Sequence, residues 1–140
     1  MIRSTRLCEQ PGAGVPYDLA VEFESHTVLL LMRPANAPIL PSERLDVLQD
    51  EHLARQAELH GQGLLVAAGP LVEQDDERLR GIAVLSVDPA EARRLYDADP
   101  LVQAGQLALQ FVTWTVPAGN VRFTDVRFPR SMAEALGDSI

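Results

Sequence analysis

Apolar positions along this chain fall into short blocks separated by turn residues, and the spacing of those blocks predicts alternating strands and helices. The densest block, His26 to Arg33, is built around Val28-Leu29-Leu30-Leu31-Met32 and is closed by Pro34. A continuous apolar run of that length predicts a central strand buried on both faces. Just before it, Val21 and Phe23 alternate with Glu22 and Glu24, which predicts an added edge strand. Pro38 and Pro41 keep the following loop extended. A helix is then expected from Ser42, as N-cap with Glu43 in the first turn, to about His60, where Gly61 and Gly63 stop it. At ~100° per residue, Leu45, Leu48, His52, Gln56 and Leu59 fall within about 80° of one another. The opposite face carries Arg44, Asp50, Glu51, Arg55 and Glu58, with Glu51 and Arg55 spaced for an i,i+4 ion pair. Val47 interrupts that polar face.

A second strand is predicted over Gly63 to Ala68, closed by Gly69-Pro70, and Glu73 to Arg80 reads as an exposed, charged hairpin loop. The third strand, Gly81 to Val87, carries Ile82, Val84 and Ser86 on one side. Asp88 caps a second helix with Pro89 at its first position, and that helix ends before Asp99-Pro100. In the last long strand, Leu107 to Val116, the residues Leu107, Leu109, Phe111 and Thr113 alternate with Gln110, Val112 and Trp114. Val121 to Phe128 has the pattern of a further strand and Met132 to Leu136 that of a short terminal helix. Residues 1–18, punctuated by Pro11, Gly12, Gly14 and Pro16, predict a flexible leader. The division is thus leader 1–18, domain 19–128 and short tail 129–140.

The order β-α-β-β-α-β is that of the ferredoxin-like split βαβ arrangement, an α+β fold with an antiparallel sheet and both helices on one face. The uncovered sheet face must bury its apolar side chains, and a second copy packed sheet to sheet is the expected solution, a homodimer of the dimeric α+β barrel type.

Composition narrows the partners. Twenty acidic residues against twelve basic give a formal charge of −8 with no basic run, which argues against nucleic acid and anionic membrane surfaces. A single cysteine, Cys8, forms no internal disulfide and no zinc site of usual spacing. Cys8-Glu9-Gln10-Pro11 stands where a signal peptide needs an apolar stretch, so a cytoplasmic location is expected.

Two residues stand out chemically. His52 occupies the middle of the apolar helix stripe, where burying an imidazole requires a hydrogen-bond partner. Its plainer role is a core histidine bonded to a backbone carbonyl. Asp99 precedes a proline that disfavours helical geometry at Asp99 itself, and its plainer role is a turn or cap.

Glu51-His52-Leu53, the strand Gly63-Leu64-Leu65-Val66-Ala67-Ala68-Gly69-Pro70, the segment Ala98-Asp99-Pro100 through Ala104-Gly105, and Trp114 on the strand after it occur in an order that resembles the YCII-related family. The resemblance covers about residues 20 to 120. It implies a ferredoxin-like dimer with a pocket in which His52 and Asp99 lie side by side, and no cofactor. In such a pair the carboxylate fixes the imidazole tautomer and leaves the other nitrogen for proton transfer.

The activity so implied is acid/base chemistry of a lyase- or hydrolase-like kind on a small ring substrate, the alternative being a non-catalytic ligand-binding or regulatory dimer. Gly69, Pro70, Arg33 and Trp114 are further pocket candidates. Arg33 is read either as an anchor for an anionic ligand or as a surface arginine beside Glu24, and Trp114 as pocket wall, core or dimer contact. His26 and His60, at element ends, are expected to be solvated. Glu73-Gln74-Asp75-Asp76-Glu77 lacks the glycine and spacing of a calcium loop, and no metal site is expected. Gly12-Ala13-Gly14 lacks the third glycine and the preceding strand of a dinucleotide fingerprint, and no Gly-x-Ser-x-Gly elbow is present.

Overall fold

The structure, a computed structural model, describes residues 21–137 and the backbone of residues 3–6. Strand β1 is Arg3–Arg6, β2 Glu22–Met32, β3 Leu65–Pro70, β4 Leu79–Leu85 and β5 Ala108–Pro117. The helices are α1 Ser42–Gly61, α2 Pro89–Asp97, α3 Pro100–Gln103 and α4 Met132–Leu136. All pairings are antiparallel: β5 lies on one side of β2, and β4 followed by β3 on the other, with β1 also paired to β2. This is the α+β fold expected, with the helices on one face of the sheet.

β2 is longer than the apolar block alone predicts because the Glu22–Phe23 alternation continues directly into it. The short polar strand β1 pairs with residues 22–25 of β2, inside the stretch read as a leader. The remainder of that leader, with Cys8, lies outside the described residues.

Alternation decides which residues meet the helices. Leu29 opposes Ala83 and Phe111, and Leu31 opposes Gly81 and Leu109. These face α1 and α2 and form the core with Leu59, Leu65, Leu85, Ala92 and Tyr96. The predicted set Ile82 and Val84 lies on the other face, beside Val28, Val112 and Trp114. On that face Val28 and Val84 are buried, whereas Val112 and Trp114 on the edge strand β5 stay about two-fifths exposed (39% and 42%).

α1 buries Leu48, His52, Gln56 and Leu59, as the stripe predicts, and leaves Val47 exposed. Two details differ. Ser42 is the first helical residue and not the cap: Pro41 holds the N-cap position and no side chain caps the helix. Arg55 donates from Nη2 to the carbonyl of Leu95 (2.7 Å), at the end of α2, and makes no ion pair with Glu51. The carbonyls of a last helical turn lack intrahelical donors, so a guanidinium there fills a vacancy that a surface ion pair would not.

α1 and α3 end the same way. Gly63 (φ +77°) sends its N–H to His60 and Leu64 to Leu59, and Gly105 (φ +74°) sends its own to Val102 and Gln106 to Leu101. This is the left-handed ending in which glycine avoids the Cβ penalty. At Gly105 a Cβ would also come within 3.1 Å of Pro38. The Asp-Pro-x-x-x-Ala-Gly segment is thereby one complete helical turn. Asp99 is its N-cap, Pro100 its first residue and Gly105 its exit, and the exit sets Gln106 against the 34–41 loop.

Val121 to Phe128 forms no strand. Val121, Phe123 and Phe128 are half-buried there and the other five residues are exposed. Phe123 meets the ring of His26 edge-on, and Phe128 stacks on His60 at 4.0 Å between centroids. The terminal helix α4 forms where expected, capped by Ser131.

Candidate functional site

His52 and Asp99, forty-seven residues apart, meet between α1 and the α2–α3 corner. The His52 Nδ1–H donates to Asp99 Oδ2 across 2.6 Å, a short charge-assisted contact, and the side chains are 8% and 1% exposed. Asp99 Oδ1 accepts the Leu101 N–H at 2.9 Å. The plainer role and the functional one are therefore both filled, each by its own carboxylate oxygen: one caps α3, the other holds the imidazole. Nε2 of His52 has no protein partner among the described residues.

A parallel contact braces the pair. One turn after His52, Gln56 Nε2 donates to Tyr96 Oη at 3.2 Å, so two residues of α1 engage two residues around the end of α2. Burial pushes the Tyr96 phenol above its usual range, and the Asp99 charge adds to the effect. Tyr96 thus stays a neutral hydroxyl beside the carboxylate.

His52 opens on a cavity of about 810 Å³ between α1, the 34–41 loop, the ends of β2, β3 and β4, and the C-terminal segment. Its wall is mainly apolar: Leu31, Leu45, Leu53, Leu101, Leu107 and Phe128 are among the lining residues. The polar members are Arg33, Gln49, His52, Gln56, Arg80 and Gln106. A site of this size and character, apolar with a few convergent polar groups, is of the kind that holds small molecules.

Gly69, Pro70 and Arg33 line the cavity. Pro70 is tolerated because it ends β3, the edge strand. Arg33 lies at the far end of β2 from Glu24, so the two do not meet. Its Nη1 lies 3.5 Å from Gln106 Oε1, and Gln106 Nε2 donates to the Pro38 carbonyl at 2.7 Å.

Trp114 is not in the cavity. It lies three positions beyond the helix-facing Phe111, hence on the opposite sheet face, with its ring 5.7 Å from that of His26. His26 and His60 are buried, not solvated, at 2% and 7% exposure. The His60 Nδ1–H donates to the Leu65 carbonyl at 2.7 Å, while Nε2 accepts the Val126 N–H at 3.1 Å. That neutral imidazole fastens the C-terminal segment to the domain, and it does so beside the cavity.

Several lining residues carried no local signal in the sequence: Gln106, Arg80, and the wall of Phe128, Pro129, Met132 and Leu136. Among the described residues no cluster of three or more His, Cys, Asp or Glu side chains is placed to hold a metal. No described helix is long and apolar enough to cross a membrane.

The YCII-related domain profile matches residues 27–114, well over half of the chain. The chain belongs to the YCII-related family. The match runs from β2 to β5 and so includes His52, Gly69-Pro70, Asp99 and Trp114. It stops short of Phe128 and α4, which line the cavity in this chain. Among solved structures, the chain is similar to the 5-chloro-2-hydroxyhydroquinone dehydrochlorinase TftG from Burkholderia phenoliruptrix AC1100, in complex with 2,5-dihydroxybenzoquinone. Identity is 18%, with 64% of this chain and 90% of that one covered, and the TM-score is 0.38. No curated protein matches the chain in sequence.

Proposed function

We propose that this YCII-related protein is a small-molecule acid/base enzyme, lyase- or hydrolase-like, in which His52 moves the proton and Asp99 orients it. The supporting observation is the division of labour on the imidazole. Nδ1 is committed to the buried carboxylate of Asp99, Nε2 has no protein partner among the described residues, and His52 lines the cavity. With its proton on Nδ1, the neutral ring presents an Nε2 lone pair. That lone pair takes a proton from an acidic C–H or O–H of a bound ring compound. In an elimination, the C–H electrons become the new double bond and a leaving group departs with its own pair. The proton on Nε2 then passes to the leaving group or to water. Asp99 stabilises the imidazolium formed in between without itself being protonated.

His52→Gln tests the reading on a panel of small ring compounds followed by NMR for leaving-group release or C–H deuterium exchange. Glutamine preserves size and can still donate to Asp99, but it cannot shuttle a proton near neutral pH. Lost turnover supports the proposal. Unchanged turnover sinks it, and retained ligand affinity without turnover in the wild type marks a binding protein.

We also propose that the protein acts as a homodimer of cytoplasmic type, joined through the sheet face opposite the helices. Val112 and Trp114 lie exposed there on an edge strand, an apolar surface that association would cover. Sedimentation at micromolar concentration is expected to give a species of twice the chain mass, which Trp114→Glu shifts toward monomer. A monomeric wild type would refute the dimer.

A further inference from the structure

Twenty acidic residues outnumber twelve basic ones in this chain, yet among the described residues no aspartate or glutamate lines the cavity, and two arginines do. Neither of them has a carboxylate partner among the described residues. Other arginines do: Arg78 pairs with Asp76, Arg94 with Glu91 and Arg127 with Glu134. Arg44, Arg55, Arg93, Arg122 and Arg130 also lack a carboxylate partner, but among the described arginines only the exposed Arg33 and Arg80 line the cavity.

Their placement depends on a local departure from regular pairing. Leu31 opposes Gly81 and Met32 opposes Leu79, so Arg80 is an extra residue on β4 with no partner on β2. Strict alternation from Gly81 would send Arg80 to the face of Ile82 and Val84, away from the helices. The bulge re-aims it, and Arg80 lines the cavity. Arg33 follows Met32 directly, and its N–H donates to the Arg78 carbonyl at 2.7 Å, which ties it to the same end of the same ladder. The backbones that carry both cavity-lining arginines thus meet at the same end of the β2–β4 ladder. The carbonyl oxygen of Gln106 faces Arg33 at 3.5 Å and leaves most of its five N–H donors unused.

We infer that the cavity takes a planar, largely apolar compound bearing one carboxylate, held by Arg33 and Arg80 at the strand ends while its ring lies along the apolar wall toward His52. A guanidinium fork matches a carboxylate in the bidentate way that an ammonium does not. Phosphate sites add backbone N–H groups of a helix N-terminus, but here that of α3 is filled by Asp99 and the first turn of α1 carries Glu43. In a protein of net charge −8, local cations are also what allow an anion to approach at all. The inference rests on the proposed reading of the cavity as the reaction site, and it names the substrate class for it.

The test compares benzoate, benzamide and phenyl phosphate as probes of the wild-type protein, by NMR titration of the cavity resonances at low salt. Benzoate is expected to bind saturably, at least tenfold more tightly than isosteric, neutral benzamide and more tightly than phenyl phosphate. In Arg33→Gln/Arg80→Gln, with melting behaviour checked against wild type, benzoate should weaken tenfold or more while benzamide is unchanged. No benzoate binding, equal binding of benzamide, a preference for phenyl phosphate, or a double variant that binds benzoate normally would each overturn the carboxylate assignment. None of these readouts needs turnover. Their failure leaves proton transfer by His52 standing, whereas a His52→Gln variant that keeps its turnover removes the latter and leaves benzoate binding intact.

Discussion

His52→Gln is expected to reduce turnover by about 10²- to 10⁴-fold, the usual contribution of a positioned acid/base group, with little change in substrate affinity. The asymmetry follows from where the ring sits. Its Nδ1 side faces a buried carboxylate that a glutamine amide can still satisfy, and its Nε2 has no protein partner to lose among the described residues, so that only proton transfer is lost. Unfolding free energy should therefore change by no more than about 1 kcal/mol, the net worth of one exchanged hydrogen bond. Parallel urea unfolding and rate measurements separate this outcome from a structural role, which would lower stability more than turnover.

Asp99→Ala should instead be the most destabilising single change in the site. It deletes an α3 cap and strands the His52 Nδ1–H in a buried position at one stroke. Breaking a buried pair by removing one partner costs about 3–5 kcal/mol, and for a chain of this length 3 kcal/mol lowers the melting temperature by roughly 10 °C. Asp99→Asn divides the two roles. Asparagine caps a helix about as well as aspartate, so α3 should persist and the loss should be clearly smaller. Catalysis, by contrast, should fall in both variants. Calorimetry on the pair is expected to rank wild type, Asn and Ala in that order, and an alanine variant as stable as the wild type would remove the buried pair from the account.

The halves of this site were legible to different degrees for physical reasons. His52 declares itself because a 3.6-residue period puts it among Leu45, Leu48 and Leu59, where an imidazole demands a partner. Asp99 declares itself only as a cap, and its cap geometry holds. That it also accepts from His52 depends on a contact forty-seven residues away, which no local pattern encodes. The sheet order follows from the succession of elements. β1 does not, since Arg-Ser-Thr-Arg has no apolar alternation and is a strand only because β2 extends past β4. Val121 to Phe128 looks like a strand because apolar and polar residues alternate at its start, but only Val121, Phe123 and Phe128 are half-buried, and the two phenylalanines meet His26 and His60 and no strand. Trp114, open in the sequence to a role as pocket wall, core or dimer contact, lies on the sheet face away from the cavity, which a single step of the period-2 alternation decides. The Arg80 bulge is equally silent: one extra residue in a ladder leaves no trace in composition, yet it changes which face a charge occupies.

In the proposed mechanism Asp99 holds the His52 proton on Nδ1 and so keeps the Nε2 lone pair available to a bound substrate. Imidazole ¹⁵N shifts of the neutral ring report that directly. The wild type is expected to show a protonated Nδ1 and an unprotonated Nε2. In Asp99→Asn the side-chain oxygen stays on the Leu101 N–H and the amide NH₂ turns to His52, so the ring must accept at Nδ1 and carry its proton on Nε2. A tautomer that switches between the two proteins is the predicted result. A wild type already protonated on Nε2, or the same tautomer in both, would contradict the account.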